Sequence, residues 1–304
     1  MSSFPPDWIR QRWEWPGNEP PIRFADTVLR DAPEGCRVAL LGIPDDTGVR
    51  MNGGRPGAAE GPMAFRSALA RYGTADPEGW TWPRVYDIGD VVPGFNLQET
   101  HERVTRVTDH LLALGLLPVA VGGGHDLTFP FVRALARRIP TPLIGIYLDA
   151  HLDVRREPGS GMPFRALVEE CGVAALHVLG TAPMVNSAEH RRWFREHGGH
   201  EAGFGPDDAW PGEADDVLFV SIDLDVMDQA YAPGVSAMNP AGWPPERAIA
   251  HAQAAGRDPR VGCFDLMELS PPWDEHGRTA RLAARLFLAF LQGVAERENG
   301  SGPG

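Results

Sequence analysis

The sequence of 304 residues contains no lysine, and all 28 of its basic residues are arginine. This absence excludes a Schiff-base lysine, a lysine anchor for pyridoxal phosphate and the lysine of a phosphate-binding loop. Enzyme classes that depend on any of these three groups are therefore excluded.

Cysteine is scarce as well, because Cys36, Cys171 and Cys263 are odd in number and far apart in the chain. They indicate neither a disulfide framework nor a thiolate metal site, so we expect a reducing compartment. The first residues contain prolines, tryptophans and charges but no apolar segment typical of a signal peptide. No apolar run reaches the roughly 18 residues that a membrane span needs. These features predict a cytoplasmic protein without a membrane partner.

Acidic residues outnumber basic ones by 41 to 28, which gives a formal net charge of −13. Hydrophobic residues make up 43% and charged residues 23%, as in soluble globular proteins. The negative charge disfavours nucleic acid or an anionic membrane as the main partner. We therefore expect a small-molecule ligand.

Short apolar segments alternate with segments of helical periodicity along the whole chain. Most of the apolar segments are hydrophobic on both faces, as in buried parallel strands. The alternation predicts one α/β domain over residues 1–304, with a doubly wound, mostly parallel sheet. We expect residues 1–25 to form an N-terminal arm and residues 299–304 a frayed tail. The predicted strands are Val38–Ile43, Leu117–Val121, Leu143–Leu148, Leu176–Leu179, Val217–Ile222 and Val261–Leu266, and the predicted helices are Gly61–Tyr72, His101–Leu114, Phe129–Arg138, Ser187–Glu196, Pro244–Ala255 and Thr279–Arg297.

Histidine and acidic residues are concentrated directly after four of the predicted strands. Because the carboxyl ends of parallel strands share one edge of the sheet, we expect these clusters to converge there. Taken singly, an Asp-x-Asp pair is more often a loop or a helix cap, and a histidine beside glycines is more often a turn residue. The four clusters are Gly122–Asp126, Asp149–Asp153, Asp223–Asp228 and Asp265–Glu268.

Carboxylates packed this closely would repel one another and lose their charge unless cations lie between them. Two divalent ions would balance four aspartates, and two histidines would complete the ligand shells. Oxygen and imidazole ligands without sulfur favour Mn²⁺ over a structural zinc. Alternate residues at the extended end of a strand point to one side, so each motif can present its side chains together. The predicted ligands are His125, Asp149, His151, Asp153, Asp223 and Asp225.

The motifs Gly122–Asp126, Asp149–Asp153 and Ser221–Asp228 resemble those of the ureohydrolases, the group of arginase, agmatinase and formimidoylglutamase. The resemblance extends from about Gly48 to Arg281. It implies a three-layer α/β/α arginase-like fold, two Mn²⁺ per subunit and a homo-oligomer.

The same resemblance implies roles for individual residues. Asp149 and Asp223 are expected to bridge the two metal ions. Glu268 matches the acid that holds the cationic amidine or guanidine group of the substrate. Asp153 is expected to pass a proton to the leaving amine.

Within the group, the sequence is most similar to formimidoylglutamases. Gly123–Asp126 differs from the Gly-Gly-Asp-His-Ser that arginases and agmatinases usually carry, and residues 154–165 lack the histidine thought to shuttle protons in those enzymes. Ser160–Arg165 and Asn52–Gly57 also resemble formimidoylglutamase, although Met162 stands where threonine is usual. The resemblance implies hydrolysis of N-formimidoyl-L-glutamate to L-glutamate and formamide, a reaction of histidine degradation.

The two carboxylates of that substrate need cationic partners, and in the absence of lysine arginine must supply them. We predict that Arg155, with Ser160 and Arg165, binds the glutamate carboxylates, and that Arg55 is a further candidate. The alternative for each arginine is an ordinary surface or structural salt bridge.

Three other functions stay open. A second ureohydrolase activity, on arginine, agmatine or a guanidino acid, would use the same site. A dinuclear metallophosphoesterase is disfavoured, because a site of net negative charge attracts a cationic amidine and repels a phosphate ester. A non-catalytic subunit of the same fold is disfavoured by the complete set of ligands.

The pair His197 and His200 looks like a metal site but is predicted to lie in a surface loop.

Overall fold

A single sheet of nine strands runs through the part of the chain that the structure, a computed structural model, describes: residues 4–16, 23–73 and 83–299. The strands are β1 (Ile9–Arg10), β2 (Val38–Ile43), β3 (Val85–Val91), β4 (Leu117–Gly122), β5 (Leu143–Leu148), β6 (Ala175–Leu179), β7 (Gly199–Glu201), β8 (Val217–Asp223) and β9 (Val261–Met267). Their order across the sheet is β1-β3-β2-β4-β9-β8-β5-β6-β7. Every neighbouring pair is parallel except β1 and β3, which are antiparallel at one edge. The predicted mostly parallel sheet is confirmed.

Helices lie between the strands. They are α1 (Thr47–Met51), α2 (Gly61–Leu69), α3 (Leu97–Ala113), α4 (Thr128–Ala136), α5 (Pro163–Cys171), α6 (Ala188–Glu196), α7 (Pro245–Arg257) and α8 (Arg278–Asn299). All six predicted helices are present with shifted ends, whereas α1 and α5 were not predicted. Of the helices described, none has both the length and the apolar character that a membrane crossing requires.

The helices cover both faces of the sheet and create two hydrophobic cores. Side chains alternate between the faces of each strand. In β2, for example, Val38 and Leu40 pack with residues of α2, α7 and α8, whereas Ala39 and Leu41 pack with residues of α3, α4 and α5. The three-layer α/β/α architecture is therefore confirmed.

The predicted N-terminal arm is partly built into the sheet. Ile9 and Arg10 form β1 and pair with β3. Residues 1–3 and 17–22 of the arm and residues 300–304 of the predicted tail lie outside the described residues, and Asn299 ends α8.

A buried charge cluster ties the edge of the sheet to α2. Arg66 donates to both oxygens of Asp87 at 2.8 Å and to Asp90 at 2.5 Å. Trp15 also donates to Asp87, at 2.8 Å. All three charged side chains are buried. Strand β3 was not predicted because these aspartates interrupt its apolar pattern, and their partner lies in a distant helix.

We expect Arg66→Met to lower the free energy of unfolding by about 3–5 kcal/mol, because it leaves two carboxylates buried without their cation. Urea unfolding followed by circular dichroism measures this change. The matched control is Arg195→Met on α6, because the Arg195 side chain is 66% exposed and its partner Glu201 keeps a second arginine, Arg191. The free energy of unfolding of this control should fall by less than about 1 kcal/mol. Equal losses in the two variants would contradict the interpretation.

Candidate metal centre

The carboxyl ends of four strands meet at one edge of the sheet, because β4, β9, β8 and β5 are neighbours in that order. This placement confirms the predicted convergence of the clusters. Two groups of ligand-type side chains result, in each of which one atom per residue lies within 4.8 Å of the others. The first group is His125, Asp149, Asp153 and Asp223, and the second is Asp149, His151 and Asp225. All six predicted ligands are included, and Asp149 belongs to both groups.

The first group is centred on the ring of His125, which is fully buried. Its Nδ1 lies 3.2 Å from Asp149 Oδ2, 3.0 Å from Asp153 Oδ2 and 3.1 Å from Asp223 Oδ2. None of these contacts has hydrogen-bond geometry, and neither Nδ1 nor Asp149 Oδ2 has a hydrogen-bond partner among the described residues. One nitrogen and three oxygens thus face a common point, as the ligands of a cation do.

The second group is more open to solvent. His151 Nδ1 lies 3.0 Å from Asp225 Oδ2 and 3.4 Å from Asp149 Oδ1, and the His151 side chain is 30% exposed. Backbone groups orient the acids: His151 N–H donates to Asp149 at 2.6 Å, and Asp225 N–H donates to Asp223 at 2.8 Å. Asp223 is not part of this group, so its bridging role stays a prediction.

The local conformation differs from the extended alternation that was predicted. Asp153 has a φ of +47°, in the left-handed region, and Asp223 caps a 3₁₀ turn over Leu224–Val226. The predicted extended alternation is therefore wrong at Asp153 and after Asp223, although Asp223 itself is the extended last residue of β8. The turns bring the side chains inward instead, and the φ of Asp153 is uncommon for a residue other than glycine.

Glycine allows the turn that carries His125. A Cβ on Gly123 would lie 1.7 Å from the backbone oxygen of Asp45, so no other residue fits there. Asp126, next to His125, points away from the cluster and lies 2.9 Å from His101 Nε2. Asp228 likewise stays outside and accepts from the N–H of Ala230.

The charge balance of the cluster favours a bound cation. Burial raises the pKa of Asp149 to about 6, and its carboxylate neighbours add to the rise. Burial and then Asp225 raise the pKa of Asp223 well above its ordinary value. Burial lowers the pKa of His125, but the surrounding carboxylates outweigh it and raise that pKa overall. Negative charge is thus in excess, and oxygen and imidazole donors without sulfur fit Mn²⁺.

Glu268 closes the cluster from the end of β9. Its Oε1 accepts from the backbone N–H of His125 at 2.9 Å, and its Oε2 is buried without a hydrogen-bond partner among the described residues. Burial, followed by Asp223, raises the pKa of Glu268 well above its ordinary value. Its φ is +69°, so the backbone is again left-handed. A carboxylate oxygen held in this way is suited to binding a cationic group.

A cavity of about 180 Å³ lies over these residues and is lined by His151, Asp153, Asp223, Asp225 and Glu268. Two of the predicted substrate residues, Arg155 and Ser160, line it as well. The Arg155 side chain is exposed and makes no ion pair with a described residue.

Asn52 also lines the cavity and was missed as a site residue. Its amide lies 3.2 Å from Ser160 Oγ and 2.7 Å from Gly161 N–H, and both contacts are satisfied when the amide oxygen faces these donors. The segment Asn52–Gly57 resembles formimidoylglutamase, but the sequence alone does not show which of its side chains faces the cavity.

Arg55 and Arg165 do not line this cavity, so their contact with substrate stays a prediction. Arg55 donates to the carbonyl oxygens of Val235 and Ser236 at 2.5 and 2.9 Å, so it holds a loop. Arg165 donates to Glu169 at 2.9 Å and stacks on Trp193. Arg165 thus makes the ordinary salt bridge that the sequence left open, whereas the hydrogen bonds of Arg55 go to neutral carbonyl oxygens.

The pair His197 and His200 is exposed, as predicted, but only part of it lies in a loop. His200 belongs to β7 and stacks on His177 with the ring centroids 4.7 Å apart.

Comparison with known proteins places these features in one family. The sequence model of the arginase family matches residues 36–292. The formimidoylglutamase of Aromatoleum aromaticum is 36% identical over 310 residues, which cover 91% of this chain and 89% of that protein. The mitochondrial guanidino acid hydrolase of Homo sapiens is 30% identical over 317 residues, with 93% and 88% covered. A crystal structure of Trypanosoma cruzi formiminoglutamase with Mn²⁺ superposes with a TM-score of 0.83 at 32% identity, covering 90% of this chain and 99% of that one.

Proposed function

The chain belongs to the arginase family, and on that premise we propose that it is a formimidoylglutamase that uses two Mn²⁺ ions and acts in histidine degradation. The reaction adds water to N-formimidoyl-L-glutamate and releases L-glutamate and formamide. One observation carries the proposal: one cavity is lined both by an acid for the amidinium group, Glu268, and by an arginine for the carboxylates, Arg155, which makes no ion pair with a described residue.

The first Mn²⁺ would be held by His125, Asp149, Asp153 and Asp223, and the second by Asp149, His151 and Asp225. Bound cations of this kind lower the pKa of water and so supply a nucleophile at neutral pH.

The protein's own residues bind the substrate and move the proton. Glu268 Oε2 accepts from the amidinium N–H groups and holds the carbon of the C=N group toward the cluster. Asp153 is the least buried carboxylate of its group, with 15% of the side chain exposed. It takes a proton from the attacking water and gives it to the glutamate nitrogen as the C–N bond breaks. Arg155 and Ser160 bind the glutamate carboxylates at the cavity opening.

The test is an assay of Mn²⁺-loaded protein with formimidoylglutamate, arginine, agmatine and a guanidino acid in parallel. We expect glutamate and formamide in equal amounts from the first substrate. Release of urea alone would favour the second candidate, a guanidino acid hydrolase, which the similarity to the human enzyme supports. Its substrates also carry a carboxylate that Arg155 could bind.

We expect Arg155→Ala to raise KM for formimidoylglutamate about 10- to 100-fold with little change in kcat or Mn²⁺ content, because it removes a charge-assisted hydrogen bond worth about 1.5–3 kcal/mol. Steady-state kinetics and metal analysis check this. The control is the neighbouring Arg156→Ala, which is exposed but does not line the cavity over the cluster. An unchanged KM in Arg155→Ala would remove Arg155 from the substrate contacts.

A further inference from the structure

The ring of His125 has a second nitrogen, which faces away from the carboxylates. Its Nε2 lies 3.0 Å from the hydroxyl oxygen of Ser221. A neutral imidazole carries one N–H and one lone pair. If Nδ1 gives its lone pair to a cation, the proton must be on Nε2, and Ser221 Oγ must accept it.

The Ser221 hydroxyl is itself directed by a buried acid. Its oxygen lies 2.5 Å from Asp265 Oδ1, and because an ionised carboxylate only accepts, Ser221 donates this hydrogen bond. The serine therefore has a lone pair turned toward His125. Thr128 Oγ1 makes a longer contact of 3.3 Å with the same hydroxyl.

The two residues stand on the rigid centre of the sheet. Ser221 lies on β8 and Asp265 on β9, and they are directly paired in the parallel register of these strands. Both are fully buried. Strand positions hold a site more precisely than loop positions do, and burial leaves no solvent to replace a lost partner.

We infer that Ser221 and Asp265 are positioning residues of the metal centre. They fix His125 as the Nε2–H tautomer and orient its ring, so that Nδ1 is the atom that binds the first cation. Partners of this kind orient metal-ligating histidines, and their removal typically lowers metal affinity by 10- to 100-fold. This inference rests on the proposed metal centre but not on the identity of the substrate.

The test is isothermal titration of Mn²⁺ into metal-free protein, with circular dichroism to establish that each variant is folded. Ser221→Ala should lower the Mn²⁺ affinity of the first group by about 10- to 100-fold and that of the second group much less. The first group is His125, Asp149, Asp153 and Asp223. Asp265→Asn, which keeps the shape of the side chain, should also lower the Mn²⁺ affinity of the first group. If the two residues act in series, Asp265→Asn should add little to the loss in Ser221→Ala.

Two further variants separate the possible failures. Thr108→Val removes a fully buried hydroxyl on α3, away from the cluster, and should leave Mn²⁺ affinity unchanged. His125→Ala should abolish binding at the first group. One outcome would overturn the positioning role but not the metal centre. In it, His125→Ala loses Mn²⁺ binding at the first group, while Ser221→Ala and Asp265→Asn bind Mn²⁺ within twofold of the wild type. Wild-type affinity in His125→Ala would overturn the metal centre itself. If Ser221→Ala does not fold, Asp265→Asn carries the test alone, and wild-type affinity there overturns the inference.

Discussion

Glu268→Gln should lower kcat/KM for formimidoylglutamate by about 10²- to 10³-fold, the equivalent of about 3–4 kcal/mol of transition-state stabilisation. The glutamine oxygen can still accept from His125 N–H, so the turn after β4 is kept. The amide NH₂ would then face the cavity in place of Oε2, and it repels a cationic amidinium instead of accepting from it. Steady-state kinetics on the Mn²⁺-loaded variant measure the effect.

The matched control is Glu275→Gln, a solvent-exposed acid in a turn beyond β9. It changes the net charge by the same amount, so it should leave kcat/KM within about twofold. Metal analysis shows whether Glu268→Gln still holds its ions. A variant that keeps its metal and its full kcat/KM would exclude Glu268 as the residue that binds the amidinium.

Asp149→Asn is expected to weaken Mn²⁺ binding at both groups of ligands by about 10²- to 10³-fold and to abolish activity at low Mn²⁺. Asp149 is the one residue common to both groups, and the charge it removes is fully buried. Loss of one partner of a buried ionic contact costs about 3–5 kcal/mol. Equilibrium dialysis followed by metal analysis measures the change.

The same substitution has the opposite effect on the protein without metal. The pKa of Asp149 is raised to about 6 from 3.8 in the unfolded chain, chiefly by burial. An acid whose pKa is raised on folding stabilises the fold only while protonated, so its contribution is complete below pH 3.8 and is lost as the pH rises through about 6. At pH 7 metal-free Asp149→Asn should therefore be at least as stable as the metal-free wild type. If it is clearly less stable in thermal unfolding, Asp149 has a structural role and the charge argument fails.

Six of the nine described strands and the clustering of the candidate ligands were predictable from the sequence, because both depend on local patterns. Buried parallel strands appear as short apolar runs, and the acids that follow them are visible as neighbours in sequence. The order of the strands was not predictable: β9 and β8 lie between β4 and β5, although they come much later in the chain. This arrangement makes the four clusters adjacent.

Partners that are distant in sequence account for most of what was missed. Strand β3 contains Asp87 and Asp90, and two acids are not typical of a buried strand. They are buried because Arg66 of α2 neutralises them. The arginines show the same limit. The sequence identifies Arg55 and Arg155 equally as cations. Only the fold shows that Arg55 donates its hydrogen bonds to carbonyl oxygens, whereas Arg155 lines the cavity.

The most direct test of the account is anomalous diffraction at the manganese edge from crystals of the Mn²⁺-loaded protein. We predict two peaks per chain at the carboxyl edge of the sheet, one among His125, Asp149, Asp153 and Asp223 and one beside Asp149, His151 and Asp225. Peaks elsewhere, or none at this edge in crystals that contain manganese, would contradict the claim that these side chains form a dinuclear centre.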